Sequence, residues 1–208
     1  MLLSPIEVRV LGALIEKKHT TPEYYPMSIN AITNACNQKN SRDPVVSYSD
    51  LMVESCIEQL REKRLAIRVT GAGIKVNKFR ELITEHLSLN VAESAVMCLL
   101  MLRGAQTSGE IKNRCERIHE FSELKDVEET IQNLSDREDP LVTKVPGTTG
   151  RSLKYIHLFY GQPELQQVEN VENLEFKPLI EDEVTKLRAE VEALKVEINK
   201  IKSELGME

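Results

Sequence analysis

The sequence predicts a mainly α-helical α+β protein: two tandem winged-helix domains with small β-hairpins, followed by a C-terminal coiled-coil helix. Two observations predict this fold class. The first is an internal repeat, in which residues 3–17 align with 89–103 and residues 65–79 align with 141–155. The second is a row of apolar residues from Ile180 onwards that recurs at alternating spacings of four and three. We therefore expect four segments: winged-helix domains over 1–85 and 86–160, an acidic linker over 161–179 and a coiled-coil helix over 180–206.

The first helix of each copy begins with the same capping device. Ser4 precedes Glu7 by three residues, and Asn90 precedes Glu93 by three residues. A capping side chain followed by glutamate at this spacing is the signature of a capping box. Each copy is therefore expected to start a helix here.

The remaining elements of each copy follow in the same order. Residues 28–36 align with 107–115 as a second helix, and residues 53–60 align with 127–134 as a third helix with a stripe of apolar residues. In the first copy, apolar alternation predicts strands over 65–69 and 74–79 around a glycine turn. Three helices followed by a hairpin of this size are the winged-helix arrangement.

The first copy is longer than the second on both sides of its second helix. Before that helix it carries two prolines and two tyrosines, Tyr24 and Tyr25, and after it the segment 37–49 is extended. The tyrosines have apolar bodies that can fold back on the domain. The insertion is expected to be either an ordered loop that packs on its own domain or a recognition surface.

The net charge of −6 does not by itself exclude nucleic acid, because the acidity is concentrated in the tail. Residues 1–85 hold 12 Lys/Arg and 10 Asp/Glu, whereas residues 161–208 hold 6 and 12. In winged helices that bind DNA, the third helix enters the major groove and the hairpin touches the backbone. The third helix of the second copy is acidic, so only the first domain remains a candidate for DNA binding.

Candidate nucleic-acid or partner contacts in the first domain combine amide and basic side chains. Asparagines on one face of the second helix can pair with adenine edges or with peptide groups, and basic residues occupy the following loop and the wing. The candidates are Asn30, Asn34, Asn37, Lys39, Asn40, Arg42, Lys75, Lys78 and Arg80. The alternatives are a solvated polar face or a protein partner.

Other functional classes receive little support from the sequence. It contains no Walker loop, no G-x-S-x-G and no H-E-x-x-H motif, so we expect a non-enzymatic protein without a cofactor. The four cysteines are far apart, which indicates reduced core thiols rather than a metal site. No signal peptide or membrane span is recognisable, and a cytoplasmic location is expected.

The apolar row in the tail is typical of a parallel two-stranded coiled coil. Its seam places β-branched residues mostly at a and two leucines at d, and glutamates at g face bases at e. A homodimer through this helix is expected, and the alternative is a single helix that folds back on its own domains. The dimerisation residues are Val184, Leu187, Val191, Leu194, Ile198 and Ile201.

Four sets of residues stand out in the sequence: TTPEYYPMSINAITNACNQKNSRDPV, LRGAQTSGEIKNR, EFSE with VEETIQNLSDRED, and KYIHLF. Together they resemble the YceH family of bacterial cytoplasmic proteins. The resemblance covers residues 3 to about 160 and implies a tandem winged-helix fold, without implying catalytic residues or a ligand. The family's first wing usually carries arginine and a final tyrosine, where this chain has Lys75 and Phe79.

Two functions follow as hypotheses. One is a dimeric DNA-binding transcriptional regulator that acts through the first domain. The other is a protein-interaction module, similar in layout to the tandem winged helices of segregation and condensation protein B.

Overall fold

A computed structural model of the chain describes residues 1–70, 76–147 and 152–161, together with Lys195. The first repeat contains α1 (Pro5–Thr20), a 3-10 turn (Pro22–Tyr24), α2 (Ile29–Cys36), α3 (Asp50–Glu62), β1 (Ala66–Val69) and β2 (Lys78–Glu81). A short helix, α4 (Ile83–His86), leads into the second repeat. That repeat contains α5 (Val91–Arg103), α6 (Ser108–Cys115), α7 (Leu124–Ser135), β3 (Val142–Pro146) and β4 (Leu153–His157). The predicted mixture of helices and small antiparallel hairpins is confirmed.

Both predicted capping boxes are present. The Ser4 side chain accepts a hydrogen bond from the Glu7 amide at 3.4 Å, and the Glu7 carboxylate accepts one from the Ser4 amide at 2.8 Å. Asn90 and Glu93 exchange the same two bonds at 2.9 and 3.0 Å. Each box satisfies two backbone donors that the first helical turn leaves without partners.

The capping glutamates also form matching ion pairs across each repeat. Glu7 lies 2.7 Å from Nζ of Lys63, which follows α3, and Glu93 lies 3.0 Å from Nη2 of Arg137, which follows α7. The two pairs join the start of the first helix to the end of the third. Lys63 and Arg137 lie outside the aligned segments, so these ion pairs were not predicted.

Each repeat closes with an antiparallel hairpin, in which Ala66 pairs with Glu81 and Val142 with His157. The predicted second strand over 74–79 was placed too early, because β2 begins at Lys78 and ends at Glu81. Val76, whose alternation suggested the earlier start, is 62% exposed, whereas Phe79 is buried. The buried aromatic ring therefore sets the register of this strand.

A third extended segment joins each hairpin in the same way. The backbone of Met27, just before α2, exchanges hydrogen bonds of 3.0 and 2.8 Å with Phe79. Gln106, just before α6, exchanges bonds of the same lengths with Tyr155. These single bridges are too short to produce an alternating sequence pattern, so the sequence did not predict them.

The two repeats pack through their equivalent first helices, α1 and α5, within one compact unit that spans residues 1–164. At their contact the Cys98 thiol donates to the Gly12 carbonyl at 3.4 Å. A Cβ atom at Gly12 would lie 3.0 Å from the Leu102 side chain, so glycine permits this close approach.

All four cysteines are buried and free, as predicted, and burial raises the pKa of Cys36, Cys56 and Cys115 to about 12. In the described part of the chain, no helix has the length and apolar character that a bilayer span requires.

Candidate partner-binding surface

The candidate surface lies on α3, the third helix of the first repeat. This helix buries Val53, Cys56, Ile57 and Leu60 against the core. The spacing of these four residues covers one face of a helix, which leaves its first turn free to face solvent. Leu51 is 78% exposed there and Met52 is 48% exposed. Two large apolar side chains are therefore presented to solvent at adjacent positions.

A groove runs beside these side chains, between α3 and the start of α1. It is shallow and wide open to solvent, and it is lined by Ile6, Leu51, Met52, Ser55, Cys56 and Gln59. None of these side chains is charged at neutral pH. A concave, mostly apolar surface with a few polar groups has the character of a binding site for apolar side chains.

A row of acidic residues runs along α3 beside the groove. Four exposed carboxylates follow the helix at intervals of four residues, namely Asp50, Glu54, Glu58 and Glu62. Arg61 forms an ion pair with Glu58, and Lys63 pairs with Glu7. The groove is therefore bordered by a row of negative charge.

The second repeat provides an internal comparison for this surface. In α7, the positions that correspond to Leu51, Met52 and Ser55 are occupied by Lys125, Asp126 and Glu129. The large apolar residue that α7 exposes is Leu124, at its first position, where α3 has Asp50. At these three positions α7 thus has charged side chains where α3 has uncharged ones.

The structure separates the three predicted asparagines. Asn30 and Asn34 are exposed on α2, and the Asn34 amide donates to the Asn30 side chain at 3.2 Å. Asn37 lies after the helix and exchanges two hydrogen bonds of 2.8 Å with the backbone of Tyr48. Asn37 therefore closes the α2–α3 loop with both ends of its amide group.

The candidate contact residues of the loop after α2 also differ in their exposure to solvent. Lys39 and Asn40 are exposed, but Arg42 is only 6% exposed. Its guanidinium donates to both carboxylate oxygens of Glu16 at 3.1 and 2.7 Å, and to the Ala35 carbonyl at 2.8 Å. The side chain of Arg42 is thus directed into the protein rather than towards solvent.

The wing contributes less free positive charge than the sequence suggested. Arg80 lies 2.6 Å from the Glu85 carboxylate, and Lys78 is half-buried. Lys75 and the six dimerisation residues of the tail, from Val184 to Ile201, lie outside the described residues.

The two tyrosines of the insertion have different environments. Tyr24 is exposed, whereas Tyr25 is half-buried and its hydroxyl accepts a hydrogen bond of 2.8 Å from the Glu81 amide. Burial raises the pKa of Tyr25. Tyr25 thus connects the insertion to β2 of the same repeat through this hydrogen bond.

Sequence reasoning missed Leu51 and Met52. Both lie at the start of a helix whose core stripe begins at Val53, and they looked like part of that apolar run. The signal that could have found them is the repeat itself, because the aligned residues Lys125 and Asp126 are charged.

Comparison with known proteins matches residues 3–151 to the family described as "Protein of unknown function, DUF480". Similar curated proteins are named "UPF0502 protein". The one from Citrifermentans bemidjiense is 47% identical over 167 residues, which cover 80% of this chain and 77% of the relative. The one from Geotalea uraniireducens is 45% identical over 196 residues, 92% of this chain and 89% of the relative. The one from Pelobacter propionicus is 40% identical over 216 residues and spans 98% of both.

Proposed function

The chain belongs to the YceH family, also called UPF0502, and we propose that it is a non-enzymatic protein-interaction module whose α3 groove binds a partner protein. The partner segment is an amphipathic helix whose apolar side chains enter the groove and whose basic side chains face the acidic row. Docking of such a helix in an apolar groove is a common mode of peptide recognition.

The observation that carries this proposal is the difference between α3 and α7. Leu51 and Met52 are 78% and 48% exposed, and the second repeat has charged residues at the same positions. Burying one such side chain in an interface is worth about 1.5–3 kcal/mol. An apolar groove that the fold itself does not require is the kind of surface that marks a protein interface.

The arrangement of elements supports a tandem winged-helix assignment for the two repeats. Each has three helices, a hairpin and a single backbone bridge from the segment before the second helix to the hairpin. In this assignment α3 corresponds to the helix that enters the DNA groove in DNA-binding relatives of the fold. The carboxylates of α3 would repel phosphates, and Arg42 is buried, so the α3 surface favours a protein partner over DNA.

Site-specific photo-crosslinking tests the proposal in cells. A benzoylphenylalanine residue replaces Leu51 in the full-length chain, and the matched control carries it at Lys125, the equivalent position of the second repeat. Adducts are collected after illumination and identified by mass spectrometry. Mapping of the crosslinked peptide then shows which segment of the partner occupies the groove.

The expected result is one protein adduct that forms from position 51 and not from position 125, with the crosslink in a basic amphipathic segment. The adduct should decrease when Met52→Asp is added. Equal adducts from both positions, or an adduct with nucleic acid from position 51, would contradict the proposal. An adduct with a second copy of the chain would assign the groove to self-association instead.

A further inference from the structure

A second concave surface lies where the long α2–α3 loop meets α1 and the end of α6. This cleft has a volume of about 380 Å³ and is lined by Glu16, Lys17, Gln38, Lys39, Asn40, Ser41 and Arg117. A separate, smaller cavity of about 50 Å³ shares Glu16, Ser41 and Arg117 with it, and its lining also includes Arg103 and Arg114. Both repeats therefore contribute side chains to it.

Positive charge dominates the cleft. Its lining carries three cations, on Lys17, Lys39 and Arg117, and one carboxylate, on Glu16. That carboxylate already accepts two hydrogen bonds from the buried Arg42 and lies 3.3 Å from Nζ of Lys17, so the Lys17 charge is paired. Among the described residues, neither Lys39 nor Arg117 forms a hydrogen bond or an ion pair, and both are exposed. Their charges are free to bind an anion.

The smaller cavity is also lined by positively charged side chains. Arg103 donates to the Ser41 hydroxyl at 2.7 Å, which leaves its charge without a carboxylate partner among the described residues. Burial lowers the pKa of Arg103, and the nearby cations Arg114 and Arg42 lower it further. Arg114 pairs with Glu110 and bonds Gln106. Two further guanidinium groups, those of Arg103 and Arg114, thus line the smaller cavity.

The loop that forms one wall is held in place rather than free to move away. Asn37 bonds the backbone of Tyr48, Arg42 bonds Glu16, and the Asp43 amide donates to the Leu102 carbonyl of α5 at 2.9 Å. Ser41 lies between these anchors with a positive φ of 61°. A fixed loop backbone reduces the ordering cost of binding a small anion.

We propose that this cleft between the two repeats binds a phosphate group, which the side chains of Lys39 and Arg117 hold. Arginine presents two parallel donors that match phosphate oxygens, and lysine supplies a mobile point charge. Asn40 and Gln38 add amide donors at the rim. The phosphate belongs either to a small phosphorylated molecule or to the backbone of a nucleic acid. This site is separate from the α3 groove and does not depend on the function proposed for it.

The test uses two probes and two matched variants of the full-length chain. Pyrophosphate is titrated by calorimetry at low salt, and a labelled random-sequence duplex is titrated by fluorescence anisotropy. The test variant carries Lys39→Gln and Arg117→Gln. The control variant carries Lys125→Gln and Lys144→Gln, which remove the same charge from exposed positions outside the cleft. Thermal unfolding of both variants checks that the fold is kept.

We expect at least one probe to bind the unmodified chain and to bind the test variant about 10-fold or more weakly, with little change in the control. Binding of pyrophosphate indicates a small phosphorylated ligand. Binding of the duplex alone, weakened by salt, indicates nucleic acid. Absence of binding for both probes at low salt, or equal losses in the test and control variants, overturns the proposal.

Discussion

Arg42 and Glu16 form a bidentate ion pair in which Arg42 Nη1 and Nη2 lie 3.1 and 2.7 Å from the two carboxylate oxygens. The arginine side chain is fully buried and the glutamate side chain is 15% exposed. The pair fixes the α2–α3 loop to α1, and the next residue, Asp43, bonds the α5 backbone. The extra length of this loop in the first repeat therefore serves to join the two repeats.

Breaking this pair should destabilise the protein strongly. Glu16→Gln leaves the buried Arg42 charge without its carboxylate, and removal of one partner of a buried pair costs about 3–5 kcal/mol. The control is Glu58→Gln, which breaks the exposed pair with Arg61 and should cost less than about 1 kcal/mol. Urea unfolding of the full chain measures both. Similar losses for the two variants would show that the loop is not anchored as described.

The same pair predicts a loss of stability in acid. Burial acts to raise the pKa of Glu16, but the hydrogen bonds and charge of Arg42 outweigh it, so the pKa is lowered. A carboxyl group whose pKa is lower in the folded state stabilises the fold above its unfolded pKa of about 4.3, and this contribution is lost as the pH falls through the folded pKa.

The melting temperature of the unmodified chain should therefore fall below about pH 4.3, measured by circular dichroism across the acid range. Glu16→Gln should show a smaller fall, because it has no carboxylate to protonate at this position. Identical pH profiles for the two proteins would contradict this assignment of the acid-sensitive group.

The close approach of α1 and α5 predicts opposite effects for two glycine substitutions. At Gly12 a Cβ atom would lie 3.0 Å from Leu102 Cδ2 and 3.2 Å from Met101 Cβ, whereas at Gly109 on α6 it would meet no atom within 4 Å. Overpacking at Gly12→Ala should cost about 1–3 kcal/mol, against the gain of up to about 1 kcal/mol that alanine brings to a helix.

Gly109→Ala provides the matched control, since it brings the helical gain without the steric cost. Chemical denaturation should therefore give Gly12→Ala a lower free energy of unfolding than the unmodified chain. Gly109→Ala should have an equal or higher free energy of unfolding. A stabilised Gly12→Ala variant would mean that the two helices can move apart at little cost.

The apolar row of the tail predicts a homodimer. We expect light scattering on the full-length chain to give twice the monomer mass, and Leu187→Asp with Leu194→Asp to give a monomer. Both leucines occupy the d positions of the predicted seam, where a carboxylate would be buried at high cost. Ala189→Asp, at the outward-facing position f, is the control and should leave the dimer intact. A monomeric unmodified chain would contradict the prediction.

Much of the fold followed from the sequence because its patterns are local. The capping boxes at Ser4 and Asn90 depend on residues three apart, and the helix stripes depend on spacings within one element. The backbone bridge of Met27 and Phe79 was missed because it joins segments far apart in the chain. A single bridge leaves no periodicity to detect.

The candidate sites were less predictable, since they depend on which side chains the fold buries. Arg42 looked like a surface base because it lies in a polar loop, and only the folded chain places it beside Glu16. Arg117 belongs to the second repeat, and no sequence pattern connects it with Lys39 across the cleft. Leu51 and Met52 could have been recognised, but only by a position-by-position comparison of the two repeats.

The most direct test of the central claim is the affinity of the full-length chain for the partner segment identified by crosslinking at position 51. Calorimetry compares the unmodified chain with Met52→Asp and with Lys125→Asp, the latter on the equivalent face of α7. Burying a fully exposed methionine side chain is worth about 1.5–3 kcal/mol, and about half of Met52 is exposed. The lost contact together with the buried carboxylate of Met52→Asp should therefore weaken binding about 10-fold. Lys125→Asp should leave the dissociation constant unchanged. Equal affinities for Met52→Asp and the unmodified chain would contradict the assignment of the α3 groove as the binding surface.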